Sequence, residues 1–549
     1  MRTLTSLFVA ALAAALAACN DGTGGSTVTP DPSTARGTLI WNPPLRIATL
    51  TAADFTAELN AQGPTGQQLL ALVTGGTGIL PCGVDFHYIQ YATVDGGNPQ
   101  QATTASGALM VPTGGAGCSG ARPIVLYAHG TDVDKTINMA DVTNPNNTEG
   151  VLVAATFAAF GYIVVAPNYA GYDSSPLPYH PFLNGDQNSK EMIDALTAAR
   201  KALGNIPAAG TTDSGKLFVA GYSEGGYVAM AAQKAMQAFS LANPGNTSLQ
   251  VTAAGASSGP YALSSFGDAV FFGNVNLGAT AFSPMIATSY QHAFGNIYAA
   301  PTDIAEAPYA ANVGVLPSAT PINTLFAQGV LPQLFFFNHN PPTAADIPAG
   351  TPAPIVSALT SLFPTITPPS AQFAFGFNPS PNFPNETNLV KNTFRAAYLA
   401  DALLNPDGVV PTPTTGLPPA ATGATLGGTL RGAFKANDMR SWVPTSPVLL
   451  CGGHQDPTVF YQVNTQTMQA FWTPQLLSPA LLTVVDVDPA PATTAPAGTP
   501  QAVFLAAQTA VFTGAGGGAA GTQAVLQAYH GTLVPPPCTV TVRGFFNTF

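Results

Sequence analysis

The chain has 549 residues, of which 8% are charged and 46% hydrophobic, and its formal net charge is −11. Soluble proteins typically carry about 25% charged residues, so this surface must be built largely from Thr, Ser, Asn, Gln and Ala. No basic patch is available to neutralise phosphates, which excludes nucleic acid as a partner, and the apolar content is too high for a chain dominated by disorder.

The N-terminus pairs one Arg with an uncharged apolar run, Leu7 to Ala18. Residues 1–18 read as an export signal, too short for a stable membrane span. Leu16-Ala17-Ala18-Cys19 resembles the lipobox of bacterial lipoproteins. That resemblance implies lipidation at Cys19, membrane attachment through the lipid and, with Asn20 rather than Asp behind it, the outer membrane. Cleavage at an ordinary Ala-x-Ala site, with secretion, is the alternative. Residues 19–36 are rich in Gly, Thr and Pro and read as a flexible tether.

Beyond the tether, "FHYIQYATVD" (86–95) and "ATTASGALMVP" (102–112) flank "GGNPQQ" and predict a β-hairpin. "PIVLYAHG" (123–130), "YIVVAPNYAG" (162–171), "LFVAGYS" (217–223) and "PVLLCGG" (447–453) are unalternating apolar runs. Such runs suit strands buried on both faces of a parallel sheet. Helices are expected over 188–204, with Met192, Ala195, Leu196, Ala199 and Leu203 on one face, and over 225–239. The alternation predicts an α/β fold, a mostly parallel sheet flanked by helices with a partly antiparallel start.

The alternation stops over 261–430, where periodicity singles out only one helix, 389–404. This segment reads as a large insertion, helical or irregular, capping a core formed by 37–260 and 431–549. Its clustered phenylalanines either line an acyl pocket or pack the cap's own core. "PAPATTAPAGTP" (489–500) reads as a surface loop. Apart from Cys19 there are four cysteines, an even count that suggests two disulfides in an exported chain. Of the three connectivities, Cys82–Cys118 with Cys451–Cys538 pairs neighbours within each half. No Cys or His spacing suggests a metal site.

G-x-S-x-G occurs twice, at Gly221–Gly225 and Gly255–Gly259. A serine hydroxyl needs a base, an orienting acid and an oxyanion hole, and a nucleophile elbow places it between a strand and a helix. Ser223 has a buried-type strand before it and a helical run after it. Gly259 is followed at once by Pro260 and no comparable helix is apparent, so Ser223 is the expected nucleophile, and Ser257 and Ser258 are structural or pocket-lining.

Assembled, these features resemble the α/β-hydrolase superfamily, in particular bacterial secreted lipases and esterases with a large cap. The resemblance covers about 80–260 and 430–545 and rests on "YAHGT" (127–131), "VVAPNYAGYDSS" (164–175), "AGYSEGGYVAM", "PVLLCGGHQDPTVF" (447–460) and "AYHGTLVPPPC" (528–538). Asn168 stands where the related loop carries Asp. The family order Ser…Asp…His implies Ser223 as nucleophile, Asp456 as acid and His530 as base. Asp438, Asp486 and Asp488 remain alternative acids. The backbone amides of Glu224 and of Thr131 or Gly130 are implied as the oxyanion hole. The implied reaction is carboxylic-ester hydrolysis on a substrate with a hydrophobic acyl or aromatic part, possible on polyesters too, with no metal or cofactor. A peptidase on the same fold and a non-catalytic surface lipoprotein are the alternatives.

Overall fold

A computed structural model describes residues 36–206, 210–378, 387–406, 426–488, 495–496 and 498–549. The expected signal, Cys19 and residues 19–35 of the tether lie outside them. The chain forms β1 (Leu45–Leu50), β2 (Gly83–Val94), β3 (Ala102–Thr113), β4 (Gly120–Ala128), β5 (Ile163–Pro167), β6 (Thr211–Tyr222) and β7 (Val251–Ser257). A short pair, β8 (Phe337–Asn338) and β9 (Phe377–Asn378), precedes β10 (Val448–Gly452) and β11 (Leu482–Asp486).

Nine strands make one sheet in the order β1-β2-β3-β5-β4-β6-β7-β10-β11. β1–β2, β2–β3 and β3–β5 pair antiparallel, and every pairing from β5 through to β11 is parallel. The hairpin has the expected partners, running from Gly83↔Thr113 to Val94↔Ala102. β5 and β10 are buried at every residue, as strands covered on both faces must be.

Helices cover both faces. Gly185–Leu203 begins where the Asn184 side chain accepts the Gln187 amide, and it buries the five expected apolar residues. It buries Glu191 and Asp194 as well, because Thr93 and Arg36 bind Asp194 from the opposite side. The other face is covered by Ala52–Ala61, Pro64–Val73, Thr148–Thr156 and Pro535–Phe546. Disulfides join Cys82 to Cys118 and Cys451 to Cys538, with Cα separations of 5.5 and 5.7 Å.

Between β7 and β10 the chain contains more helix than its periodicity suggests: Leu263–Phe271, Ala279–Phe294, Ala353–Leu362, Asn392–Leu404 and Leu426–Ala436. Several are short, and Ala279–Phe294 contains Pro284; tertiary packing rather than propensity sustains such helices. Their shared core holds the clustered phenylalanines. Phe271 stacks on Tyr398 at 3.7 Å between ring centroids, and Phe337 packs near Phe377 at 5.9 Å. Arg395 lies 4.2 Å over the Phe337 ring and donates to the Phe271 and Ile366 carbonyls and the Thr367 hydroxyl. Arg431 bridges Asp268 and Asp401. The run Phe335–Phe337 thus serves the insertion's own core.

Candidate active site

β6 delivers Ser223 to the start of the helix Glu224–Ala242, with φ at +57° and ψ at −124°. A non-glycine residue is rarely held at positive φ without a surrounding structure that demands it. The demand is visible in the two glycines. A Cβ on Gly225 would lie 1.9 Å from the Ala128 carbonyl oxygen, and one on Gly221 would lie 2.1 Å from that of Gly225. Only with both positions bare can β4, β6 and the helix close on the turn. The Ser223 amide donates to the Ser257 carbonyl at 2.9 Å, tying the turn to β7.

Three separate stretches converge here. Ser223 Oγ lies 2.7 Å from His530 Nε2, and His530 Nδ1 lies 2.7 Å from Asp456 Oδ2. The amides of Thr458 and Val459 donate to Asp456 Oδ1 at 2.9 and 3.0 Å, so both carboxylate oxygens are engaged. His530 sits on a single π-helical turn, Tyr529–Leu533, and its carbonyl accepts from the Tyr222 hydroxyl at 2.5 Å. Such a chain of hydrogen bonds can carry a proton from the hydroxyl to the ring while the carboxylate stabilises the resulting imidazolium.

The alternative acids are occupied elsewhere. Asp486 accepts from the His454 amide at 3.1 Å and faces that ring, Asp438 pairs with Arg440, and Asp488 accepts from the Tyr529 hydroxyl at 2.5 Å. The second G-x-S-x-G match is not bare of helix: Leu263–Phe271 follows it, contrary to the sequence expectation. That helix was legible, since Leu263, Phe266, Gly267, Val270 and Phe271 recur with helical spacing. Ser257 is still within β7 and is buried.

Ser223 opens onto a cavity with about 670 Å³ of empty space, its open mouth included. Its wall is apolar, with Phe182, Phe266, Phe271, Phe282 and Phe434 prominent. Phe182 comes from the loop after β5, and the others from the stretch between β7 and β10. Thr131 and Glu224 line it beside the serine. Glu224 is the first residue of its helix, where an N–H lacks an intrahelical acceptor. Gly130 drops out as an oxyanion donor, because its N–H is committed to the Glu149 carboxylate at 3.0 and 3.1 Å.

Glu224 has a partner the sequence did not flag. Its Oε1 lies 2.6 Å from His180 Nε2, both side chains fully buried, and His180 Nδ1 lies 3.0 Å from the Ala170 carbonyl. Burial opposes charge on His180, but the Glu224 carboxylate and the Ala170 carbonyl outweigh it, and the pKa is raised. Asn168 is fully buried, donating to Ser106 Oγ and accepting the Met139 amide, so this departure from the related pattern is accommodated locally. Among the described residues no cluster of three or more His, Cys, Asp or Glu could hold a metal, and no helix is long and apolar enough to cross a membrane.

The overall fold matches that of known solved structures. The cell wall degrading esterase LipA of Xanthomonas oryzae superimposes with a TM-score of 0.62 over 93% of this chain and 98% of that one, at 22% identity. This chain is an α/β-hydrolase by fold. A candidate hydrolase of Legionella pneumophila matches with a TM-score of 0.54 at 18% identity, over 82% of this chain and 91% of that one. Residues 151–264, which include the Ser223 turn, match the prolyl oligopeptidase family. No curated protein matches the sequence.

Proposed function

We propose that the protein is an exported carboxylic-ester hydrolase in which Ser223 is the nucleophile, His530 the base and Asp456 the orienting acid. The observation that carries this reading is the Ser223–His530–Asp456 chain, 2.7 Å at each link, opening on an apolar cavity. Ser223 Oγ attacks the ester carbonyl as His530 Nε2 takes its proton, and the amides of Glu224 and Thr131 bind the oxyanion. His530 then returns the proton to the departing alkoxide, leaving an acyl-serine. Water, deprotonated by the same ring, releases the acid.

The acyl or aromatic part of the substrate lies against the phenylalanines of the cavity, and 261–430 acts as a cap over a core of 37–260 and 431–549. The esterase neighbour supports ester cleavage. Two disulfides support an oxidising compartment, and the lipobox-like sequence supports attachment through Cys19. The match of 151–264 to the prolyl oligopeptidase family favours a second reading, cleavage of peptides after proline. A mostly apolar, phenylalanine-lined wall suits an acyl chain better than a peptide backbone, many of whose amides would be left without partners.

The test sets nitrophenyl esters of graded chain length against a prolyl-nitroanilide peptide, with fluorophosphonate labelling as the measure of an active serine. Labelling with ester turnover is expected. Labelling with peptide turnover alone would replace the ester reading with the second one, and absence of labelling would remove both.

A further inference from the structure

β4 runs into the turn His129-Gly130-Thr131-Asp132, and the main-chain groups of that turn are taken up one after another. The Tyr169 hydroxyl donates to the His129 carbonyl at 2.9 Å, and the Tyr172 hydroxyl donates to that of Asp132 at 2.5 Å. His129 Nδ1 lies 2.6 Å from the Gly130 carbonyl. The Gly130 amide donates to both oxygens of Glu149, whose Oε1 also accepts from the Tyr127 hydroxyl at 2.8 Å. The amides of Thr131 and Asp132 donate to no group among the described residues, and of the two residues Thr131 lines the cavity beside Ser223.

A peptide unit is planar and trans, so its C=O and N–H point in opposite directions. The unit joining Gly130 to Thr131 has its carbonyl turned to His129, which directs the Thr131 N–H to the far side. The preceding unit has its N–H held by Glu149 and its carbonyl by Tyr169. Glu149 therefore anchors the hinge about which the Thr131 N–H would otherwise swing. It does so from the helix Thr148–Thr156, whose first turn is fixed by Asn147. The Asn147 side chain accepts from the Gly150 amide and donates to the Asn138 and Asp141 carbonyls. The carboxylate stands close behind the nucleophile turn, since a Cβ on Gly130 would be 3.3 Å from Glu149 Oε2 and 3.5 Å from Ser223 Cβ.

We propose that Glu149 is a positioning residue for the oxyanion hole: by claiming the Gly130 amide it holds the next amide, that of Thr131, where the developing oxyanion will be. This rests on the ester-hydrolase reading. Glu149 touches neither substrate nor proton; it acts through the main chain.

The experiment compares wild type, Glu149→Ala, Glu149→Gln and Tyr127→Phe as purified, disulfide-bonded proteins. It measures nitrophenyl-ester turnover and inhibition by a trifluoromethyl ketone, whose serine adduct carries an oxyanion. Losing a whole oxyanion donor costs about 10²–10³-fold in kcat, so loosening one predicts a loss of about 10–100-fold for Glu149→Ala. KM is expected to change little, and ketone affinity to fall in parallel with kcat. Glu149→Gln, which keeps an oxygen acceptor for the amide, is expected to restore most of both. A Glu149→Ala protein with kcat and ketone affinity within about twofold of wild type overturns the proposal. Should that variant fail to fold, Tyr127→Phe decides: a parallel loss supports the assignment, and unchanged ketone affinity overturns it. A wild type that neither turns over esters nor takes the fluorophosphonate label would instead defeat the underlying reading.

Discussion

β6 and β7 are parallel neighbours, and each ends in a G-x-S-x-G turn that holds a serine at positive φ. In the first turn the strained residue is the central one, Ser223 at +57°. In the second it is the residue after the centre, Ser258 at +44°, while the central Ser257 still belongs to β7. A shift of one position sends the first hydroxyl to His530 and leaves the second buried, its neighbour's amide bonded to the Cys451 carbonyl. Both turns are strained, glycine-flanked and followed by a helix. Motif and strain together therefore do not make a site; the register of the strain along the motif does.

The contrast can be broken most directly at the hydroxyls. Ser223→Ala is expected to lower ester turnover by about 10⁴-fold or more and to abolish fluorophosphonate labelling. Ser257→Ala and Ser258→Ala should stay within about threefold of wild type, since neither hydroxyl is asked for chemistry. The reverse pattern would move the nucleophile to β7. The same logic extends to the acids. Asp456→Asn should reduce kcat by about 10⁴-fold by disturbing the histidine tautomer, whereas Asp486→Asn, which faces His454, should have a small effect on kcat.

The glycines sharpen the comparison through stability. Gly225→Ala would drive a Cβ into the main-chain oxygen of Ala128 at 1.9 Å, and backbone cannot rotate away. A loss above about 3 kcal/mol in chemical denaturation is expected. Gly255→Ala would meet the Val542 side chain at 2.4 Å, which can repack at a cost of about 1–3 kcal/mol. Equal losses would mean that the two turns are equally rigid.

The smallest effect concerns Glu224, the residue for which the second turn offers only Ser258. His180 has a raised pKa through its Glu224 partner. With the folded value above the unfolded value of about 6.5, the pair's stabilisation is fully present below that pH and is lost as pH rises through the folded pKa. The gap in Tm between wild type and His180→Gln should be widest near the acid end of the range between about pH 6 and 9, and narrow upward. A gap that ignores pH would remove the charged pair.

The parallel core was legible because its strands are short, apolar and unalternating, and its helices carry a clear stripe. "GGHQDP" and "AYHGT" could be placed through family resemblance, and the structure brings Asp456 and His530 to Ser223. The rest was hidden for physical reasons. The aromatic wall is assembled from Phe182, Phe282 and Phe434, residues far apart in the chain that no local pattern connects. Glu149 and His180 look like any helix-start acid and loop histidine until the fold sets them against Gly130 and Glu224.

The Cys451–Cys538 bridge has a consequence in time as well as in space. Ser223 and His530 are separated by 307 positions, so a growing chain carries the serine turn long before the ring that would act on it. Cys451 lies near the end of β10, just ahead of Asp456, and Cys538 lies in the first turn of the final helix, just behind His530. The bond between them can form only where thiols are oxidised. The bond thus adds a covalent link between the strand that precedes the acid and the helix that follows the histidine, a link that depends on an oxidising compartment.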